Sequence, residues 1–266
     1  MIGWMRIGLG VLSVAAGSAV LAPLQALALK ARFTNEFLLP RAWHRLILRA
    51  LGMRVSIHGA MSSQRPLLLA SNHISWTDVM VLGSSNDLAF IAKSEMAGWP
   101  VLGSLARLQR TIFIERERRR KSGEQASEIA ARLAAGDAMV LFAEGTTSDG
   151  NLLLPFKSTL FGAASIAIAE GGIEKVFIQP VAIAYTRLHG LPMGRQHRTV
   201  AAWIGDMDLV PHIGRLLAEG AVDVEVHFGE PLEFHAGSSR KEVARRAEEQ
   251  VYAMMQKALR GGCSGN

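Results

Sequence analysis

His73 and Asp78 stand five positions apart in Ser71-Asn72-His73-Ile74-Ser75-Trp76-Thr77-Asp78, directly after the apolar run Pro66-Leu67-Leu68-Leu69-Ala70. A carboxylate that holds one imidazole nitrogen fixes the tautomer and stabilises the imidazolium, leaving the other nitrogen as a general base. In an unbroken helix the two side chains would diverge by roughly 140°. They meet only if His73 lies in the loop before a helix and Asp78 in its first turn. A structural account competes: Ser75 as N-cap and Asp78 as the capping carboxylate at N3.

Three further stretches could contribute chemistry. Phe142-Ala143-Glu144-Gly145-Thr146-Thr147-Ser148-Asp149-Gly150 follows an apolar run. Ligands of open α/β sheets bind beyond the carboxyl ends of strands. There Gly145 would allow close backbone approach, and Glu144, Thr146 and Thr147 would orient hydroxyls. An ordinary polar turn has the same composition. Thr111-Ile112-Phe113-Ile114-Glu115-Arg116 runs on into Glu117, Arg118, Arg119, Arg120 and Lys121. Arg116, nearest the strand end, suits an anionic substrate group. The cations after it read as a solvated helix start, or as a face for anionic lipid or an acidic carrier. Gln179-Pro180-Val181-Ala182-Ile183-Ala184-Tyr185 reads as a buried strand whose proline belongs at an edge, a bulge or a pocket wall.

These stretches need a scaffold. Apolar runs predict strands at 55–57, 67–70, 88–92, 111–115, 139–142, 177–184, 200–204 and 222–228. Helical spacing predicts helices at 79–83, 101–108, 123–135, 160–170, 209–218 and 239–260. The alternation argues for an α/β fold with a mostly parallel central sheet of about seven strands flanked by helices. Ser239 with Glu242 reads as a capping box, with Val243, Ala247, Val251, Met254 and Ala258 on the buried face of the last helix. Four segments follow: a membrane anchor over 1–33, a linking amphipathic helix over 34–52, the main domain over 53–260 and a disordered tail over 261–266.

No charge falls between Arg6 and Lys30, a stretch long enough to span a bilayer. Pro23 and Gln25 leave open a kinked or one-leaflet segment. Lys30, Arg32, Arg41, Arg45, Arg49 and Arg54 follow it, which by the positive-inside bias keeps the remaining chain cytoplasmic, on the inner membrane. The rival reading is a signal peptide cleaved at Ala26-Leu27-Ala28, and hence a secreted hydrolase. The net charge is +6, which favours anionic partners. Aromatics are 6% of the chain and do not cluster among the basic residues, so no nucleic-acid partner is expected. The single cysteine, Cys263, and the scattered histidines show neither a catalytic pairing nor metal-ligand spacing.

Together the blocks resemble the glycerolipid acyltransferase family, the PlsC-like lysophosphatidate acyltransferase group. The Asn-His-x4-Asp block is Asn72, His73 and Asp78. Ile112-Phe113-Ile114-Glu115-Arg116 has Glu where the family has Asp. Phe142-Ala143-Glu144-Gly145-Thr146 has Ala where the family has Pro. Pro180-Val181-Ala182-Ile183 is the fourth block. Lys93-Ser94-Glu95-Met96 with Trp99–Gly103, and Pro155-Phe156-Lys157, also match. The likeness covers about residues 50–230.

The resemblance implies a glycerol-3-phosphate acyltransferase-like fold and an O-acyltransferase. In it, His73 deprotonates a lysolipid hydroxyl that attacks the thioester of acyl-carrier protein or acyl-CoA, and Asp78 orients His73. Asn72, Lys93, Arg116, Glu144, Gly145, Thr146 and Thr147 would bind substrate, with no further cofactor. Oxyanion donors are expected among the backbone N–H groups that follow Asn72. The family's third block commonly continues with Arg; here Thr147 stands there. With the segment Glu-Gly-Thr-Thr-Ser-Asp-Gly-Asn, that favours the lyso-ornithine lipid acyltransferase branch over phosphatidate synthesis. A non-catalytic, membrane-tethered lipid-binding protein is the alternative of another class.

Overall fold

The runs read as strands assemble into one twisted sheet whose carboxyl-terminal edge carries the candidate residues. The structure, a computed structural model, describes residues 2–31, 35–114 and 119–261. The helices are α1 (Ile2–Ala31), α2 (Leu38–Leu51), α3 (Thr77–Gly83), α4 (Leu102–Leu108), α5 (Arg119–Ala134), α6 (Gly162–Gly171), α7 (Arg195–Arg198), α8 (Leu209–Glu219) and α9 (Arg240–Gly261). The strands are β1 (Met53–His58), β2 (Leu67–Ser71), β3 (Ala89–Lys93), β4 (Ile112–Ile114), β5 (Ala138–Phe142), β6 (Lys175–Leu188), β7 (Leu191–Pro192), β8 (Val222–Phe228) and β9 (Leu232–His235).

The main path runs β1-β8-β6-β2-β5-β3-β4, with β7 and β9 also pairing to β6. From β6 to β4 every neighbour is parallel; β8 reverses against β6, and β1 lies parallel to β8. Composition follows position. β2 (Leu-Leu-Leu-Ala-Ser) and β5 (Ala-Met-Val-Leu-Phe) are buried at every residue because helices cover both faces. In β8 burial alternates up to its last residue, since one face stays near solvent. One apolar layer packs α2, α3 and α8 on the sheet, and the other packs α5, α6 and α9.

Pro180 lies inside the long strand β6, and the local pairing explains why that is tolerated. Phe177 N–H bonds to the Pro66 carbonyl on the β2 side, so alternate residues point there and Pro180 points the other way. On that other side β9 pairs as far as Ile178 and β8 begins at Val181, so Pro180 sits where one partner hands over to the next. Its carbonyl still accepts Gly229 N–H at 2.8 Å.

The predicted strand at 200–204 is not a strand. Val200, Ala201 and Ala202 give their N–H groups to His197 and Arg198 in turns that continue α7, Trp203 N–H pairs with the Ile74 carbonyl, and Ile204 N–H meets Met207 Sδ. Val200, Ala201 and Ala202 are apolar because they are buried beside the His73 loop, not because they join the sheet, while Ile204 is exposed. At α9, Ser239 Oγ accepts Glu242 N–H at 3.4 Å, while the Glu242 carboxylate turns to Arg245 instead of completing the box. The predicted tail, apart from Gly261, and Cys263 lie outside the described residues.

Helix α1 has 30 residues, about 45 Å at 1.5 Å per residue, and is long and apolar enough to cross a membrane. It is not a free stalk. Arg6 Nε donates to the Leu217 carbonyl at 3.3 Å, Trp43 Nε1 to Ser18 Oγ at 2.8 Å, and Gln25 Nε2 to the Glu36 and Leu108 carbonyls at 2.8 and 3.0 Å. Gly10 and Gly17 let Leu217 and Leu46 approach closer than any side chain would allow. The other face presents Trp4, Met5, Leu9, Val11, Leu12, Val20, Leu24 and Leu27 outward.

Candidate active site

Strand register brings two loops together. Ser71 pairs with Phe142 at the ends of β2 and β5, so the chain leaves both strands at one level, with His73 and Glu144 two residues beyond. His73 precedes α3, and Asp78 is in the first turn of that helix. His73 Nδ1 lies 2.8 Å from Asp78 Oδ2. A carboxylate only accepts, so the neutral imidazole carries its proton on Nδ1 and its lone pair on Nε2. The His73 ring stacks on Phe142 with centroids 3.9 Å apart and planes 15° from parallel. Its side chain is 19% exposed, while Asp78 is sealed.

Asp78 serves the helix start and the imidazole together. Oδ2 also accepts the N–H groups of Ile74 and Ser75, at 2.7 and 2.9 Å, and Oδ1 accepts the Tyr185 hydroxyl at 2.7 Å. Tyr185 has one proton and spends it on Asp78. The Thr77 hydroxyl, 2.6 Å away, must therefore donate to Tyr185. Burial, and then the Asp78 charge, push the Tyr185 phenol well above its ordinary pKa, so it remains a donor. Sequence reasoning missed Tyr185, treating it as packing. The available signal was its hydroxyl, which needs a partner inside a buried apolar strand.

Glu144 is buried and holds the two loops at fixed separation. Oε1 accepts His73 N–H at 2.7 Å and Oε2 accepts Leu154 N–H at 3.0 Å. Burial, opposed by these hydrogen bonds and reinforced by the Asp78 charge, raises its pKa to about 7. Ser148 binds the His73 carbonyl through N–H at 2.8 Å and through Oγ at 3.2 Å. Below the loop, Trp76 Nε1 donates to His212 Nδ1 at 3.0 Å. His212 Nε2 faces the Val200 carbonyl at 3.3 Å, and burial lowers the His212 pKa.

The Asn72 amide is spent on the backbone of Ile183: Nδ2 donates to its carbonyl at 2.9 Å and Oδ1 accepts its N–H at 2.8 Å. It extends β2 by one imitation peptide. Gly145 takes φ +72°, and Lys157 occupies the space above it, with Nζ 3.1 Å from where a Cβ would stand. Thr146 is exposed and Thr147 half-buried at the same turn. Lys93 ends β3 at the same edge of the sheet. Its side chain, and the whole of Glu115 and Arg116, lie outside the described residues. The expected oxyanion donors are already committed: His73 N–H to Glu144, Ile74 and Ser75 N–H to Asp78.

An imidazole oriented by a buried aspartate, beyond the carboxyl ends of parallel strands, can serve as a general base toward a hydroxyl or a water. Among the described residues no serine or cysteine side chain bonds to the imidazole. The profile of the family described as Acyltransferase matches residues 54–184. The chain is 53% identical over 261 residues to the lyso-ornithine lipid O-acyltransferase of Brucella abortus (strain 2308), covering 98% of each. It is 48% identical over 261 residues to the protein of that name from Rhizobium meliloti (strain 1021), covering 98% of this chain and 89% of the relative. The crystal structure of the 1-acyl-sn-glycerophosphate acyltransferase PlsC from Thermotoga maritima shares the fold: TM-score 0.60 at 21% identity, over 96% of this chain and 97% of that one. The chain belongs to the PlsC-like acyltransferase family and is an acyltransferase.

Proposed function

We propose that the protein transfers a fatty acyl group from acyl-carrier protein or acyl-CoA to the free hydroxyl of lyso-ornithine lipid. The observation that carries the mechanism is the dyad: Asp78 fixes the Nδ1–H tautomer, and Nε2 has no partner among the described residues. Nε2 takes the acceptor's hydroxyl proton as that oxygen attacks the thioester carbonyl. A C–O bond forms, and the tetrahedral adduct then expels the thiolate. The imidazolium returns the proton to sulfur. Thr146, Thr147 and the Lys157 ammonium border the Gly145 turn, where the ornithine head group would lie. Lysine there supplies a cation for a carboxylate although Thr147 brings none.

The acceptor assignment rests on the likeness to the two relatives and on Thr147. The membrane reading rests on α1, whose exposed apolar face would enter lipid while its packed face holds the catalytic domain against the bilayer. In this reading the domain sits on the cytoplasmic side of the inner membrane. Purified full-length protein in detergent micelles, given acyl-carrier-protein thioester, should acylate lyso-ornithine lipid in preference to lysophosphatidate. Equal or better use of lysophosphatidate would overturn the acceptor assignment.

A further inference from the structure

At the β1–β8 end of the sheet, two strands beyond β2, the register of β1 and β8 builds a second cluster that the His73 site does not use. His58 and His227 are direct register partners, and Glu225 lies two residues before His227. Residues i and i+2 of a strand share a face, so all three side chains project from one side. His227 Nε2 is 2.9 Å from Glu225 Oε2, and His58 Nε2 is 3.5 Å from the same oxygen. The two imidazoles are stacked, with centroids 4.3 Å apart and planes 9° from parallel.

We propose that His58, Glu225 and His227 form a binding site for one zinc-class divalent cation. Their ligand atoms lie within 4.8 Å of one another. A tetrahedral ion with bonds of about 2.0–2.1 Å places its ligand atoms roughly 3.3 Å apart, between the two separations seen to Glu225. Two imidazoles and one carboxylate are a donor set that suits Zn²⁺. His58 is half exposed, so water completes the coordination. The ligands stand on adjacent strands, but the two rings are stacked nearly parallel, so one imidazole must rotate about its side-chain torsions before both nitrogens face the ion; the half-exposed His58 has the room to do so. A bound ion would tie the edge strand β1, which directly follows α2, to β8. The spacing was invisible in the sequence because the histidines lie on strands far apart in the chain and meet only through register.

The test uses untagged full-length protein in detergent, stripped with chelator and titrated with Co²⁺ and then Zn²⁺. One equivalent of Co²⁺ should give a visible band of tetrahedral intensity, and Zn²⁺ should displace it. Zn²⁺ should raise the melting temperature of the wild type. His58→Gln with His227→Gln should weaken Zn²⁺ binding at least 100-fold and abolish the thermal shift, with acyl transfer unchanged. If that double variant does not fold, the exposed single change His58→Gln, expected to weaken binding at least 10-fold, gives the same reading. No cobalt band, or equal Zn²⁺ affinity in wild type and variant, overturns the proposal.

Discussion

Asp78 and Glu144 are both buried beside His73, yet the loops after β2 and β5 use them for different tasks. Asp78 gathers four donors, one of them the imidazole itself, and so acts on the ring directly. Glu144 accepts two backbone N–H groups, one from each loop, and so acts on the chain that carries the ring. A carboxylate bonded to the imidazole matters most when positive charge develops there. One bonded to the peptide matters at all times, because it sets where the imidazole stands. Substitutions should separate these tasks.

The largest effect belongs to the dyad. His73→Ala should lower kcat about 1,000-fold with little change in KM, within the range general-base catalysis supplies. Asp78→Asn should lower kcat about as much. It should also destabilise the fold by roughly 3 kcal/mol, because an amide NH₂ must face donors that now lack an acceptor. Steady-state kinetics with thermal unfolding separates the two: His73→Ala should keep its melting temperature and Asp78→Asn should not. A melting temperature that survives Asp78→Asn would remove the helix-start role given to that carboxylate.

Glu144 comes next. Glu144→Gln should cost about 1–3 kcal/mol of stability, since one backbone N–H then meets an amide NH₂. It should lower kcat only about tenfold. Its pH signature is distinct. Burial raises the folded-state pKa to about 7 against 4.5 for the ordinary group. The folded state then holds the proton more tightly, and its contribution is greatest below pH 4.5. As pH rises from about 4.5 to 7 the contribution declines, by roughly 3 kcal/mol at most, and it is flat above. Denaturant unfolding at several pH values should show this slope in the wild type and lose it in Glu144→Gln. An identical slope in the variant would assign it to another group.

Tyr185→Phe should follow. It removes the hydrogen bond to Asp78 Oδ1 while keeping the ring that fills the core. Bonds to charged groups are worth about 1.5–3 kcal/mol. About a tenfold fall in kcat at constant KM is expected. A change confined to KM would place Tyr185 in substrate binding instead.

These ranks also show what could be read from residue order. Placing His73 before a helix followed from the angular argument alone, and α3 begins where that argument requires. The buried parallel strands were legible because continuous apolar runs have few other uses. The segment 200–204 has the same composition and is not a strand, because burial beneath a loop demands the same residues as burial in a sheet. The antiparallel strands β7 and β9 were passed over, being only two and four residues long. Asn72 reads as a substrate group through the family resemblance, and Glu144 because side chains at strand ends often face ligands. Only the partners, Ile183 in one case and His73 with Leu154 in the other, show them bonded to the chain itself. Tyr185 was hidden by its long sequence separation from Asp78, which pairing of β6 beside β2 closes.

Thr77→Val is the smallest effect expected, and it probes how far the polarisation around Asp78 extends. Thr77 does not touch the carboxylate through its hydroxyl. It donates to Tyr185, and that bond strengthens the phenol as a donor to Asp78. Valine keeps the shape and deletes the hydroxyl, so kcat should fall only about two- to threefold, with roughly 1 kcal/mol lost in stability. Thr77→Ser should restore both. Once the phenol is gone the threonine has nothing left to polarise, so adding Thr77→Val to Tyr185→Phe should lower kcat no further than Tyr185→Phe alone. If the two losses simply multiply, Thr77 acts through packing of α3, and the chain of bonds behind Asp78 ends at the tyrosine.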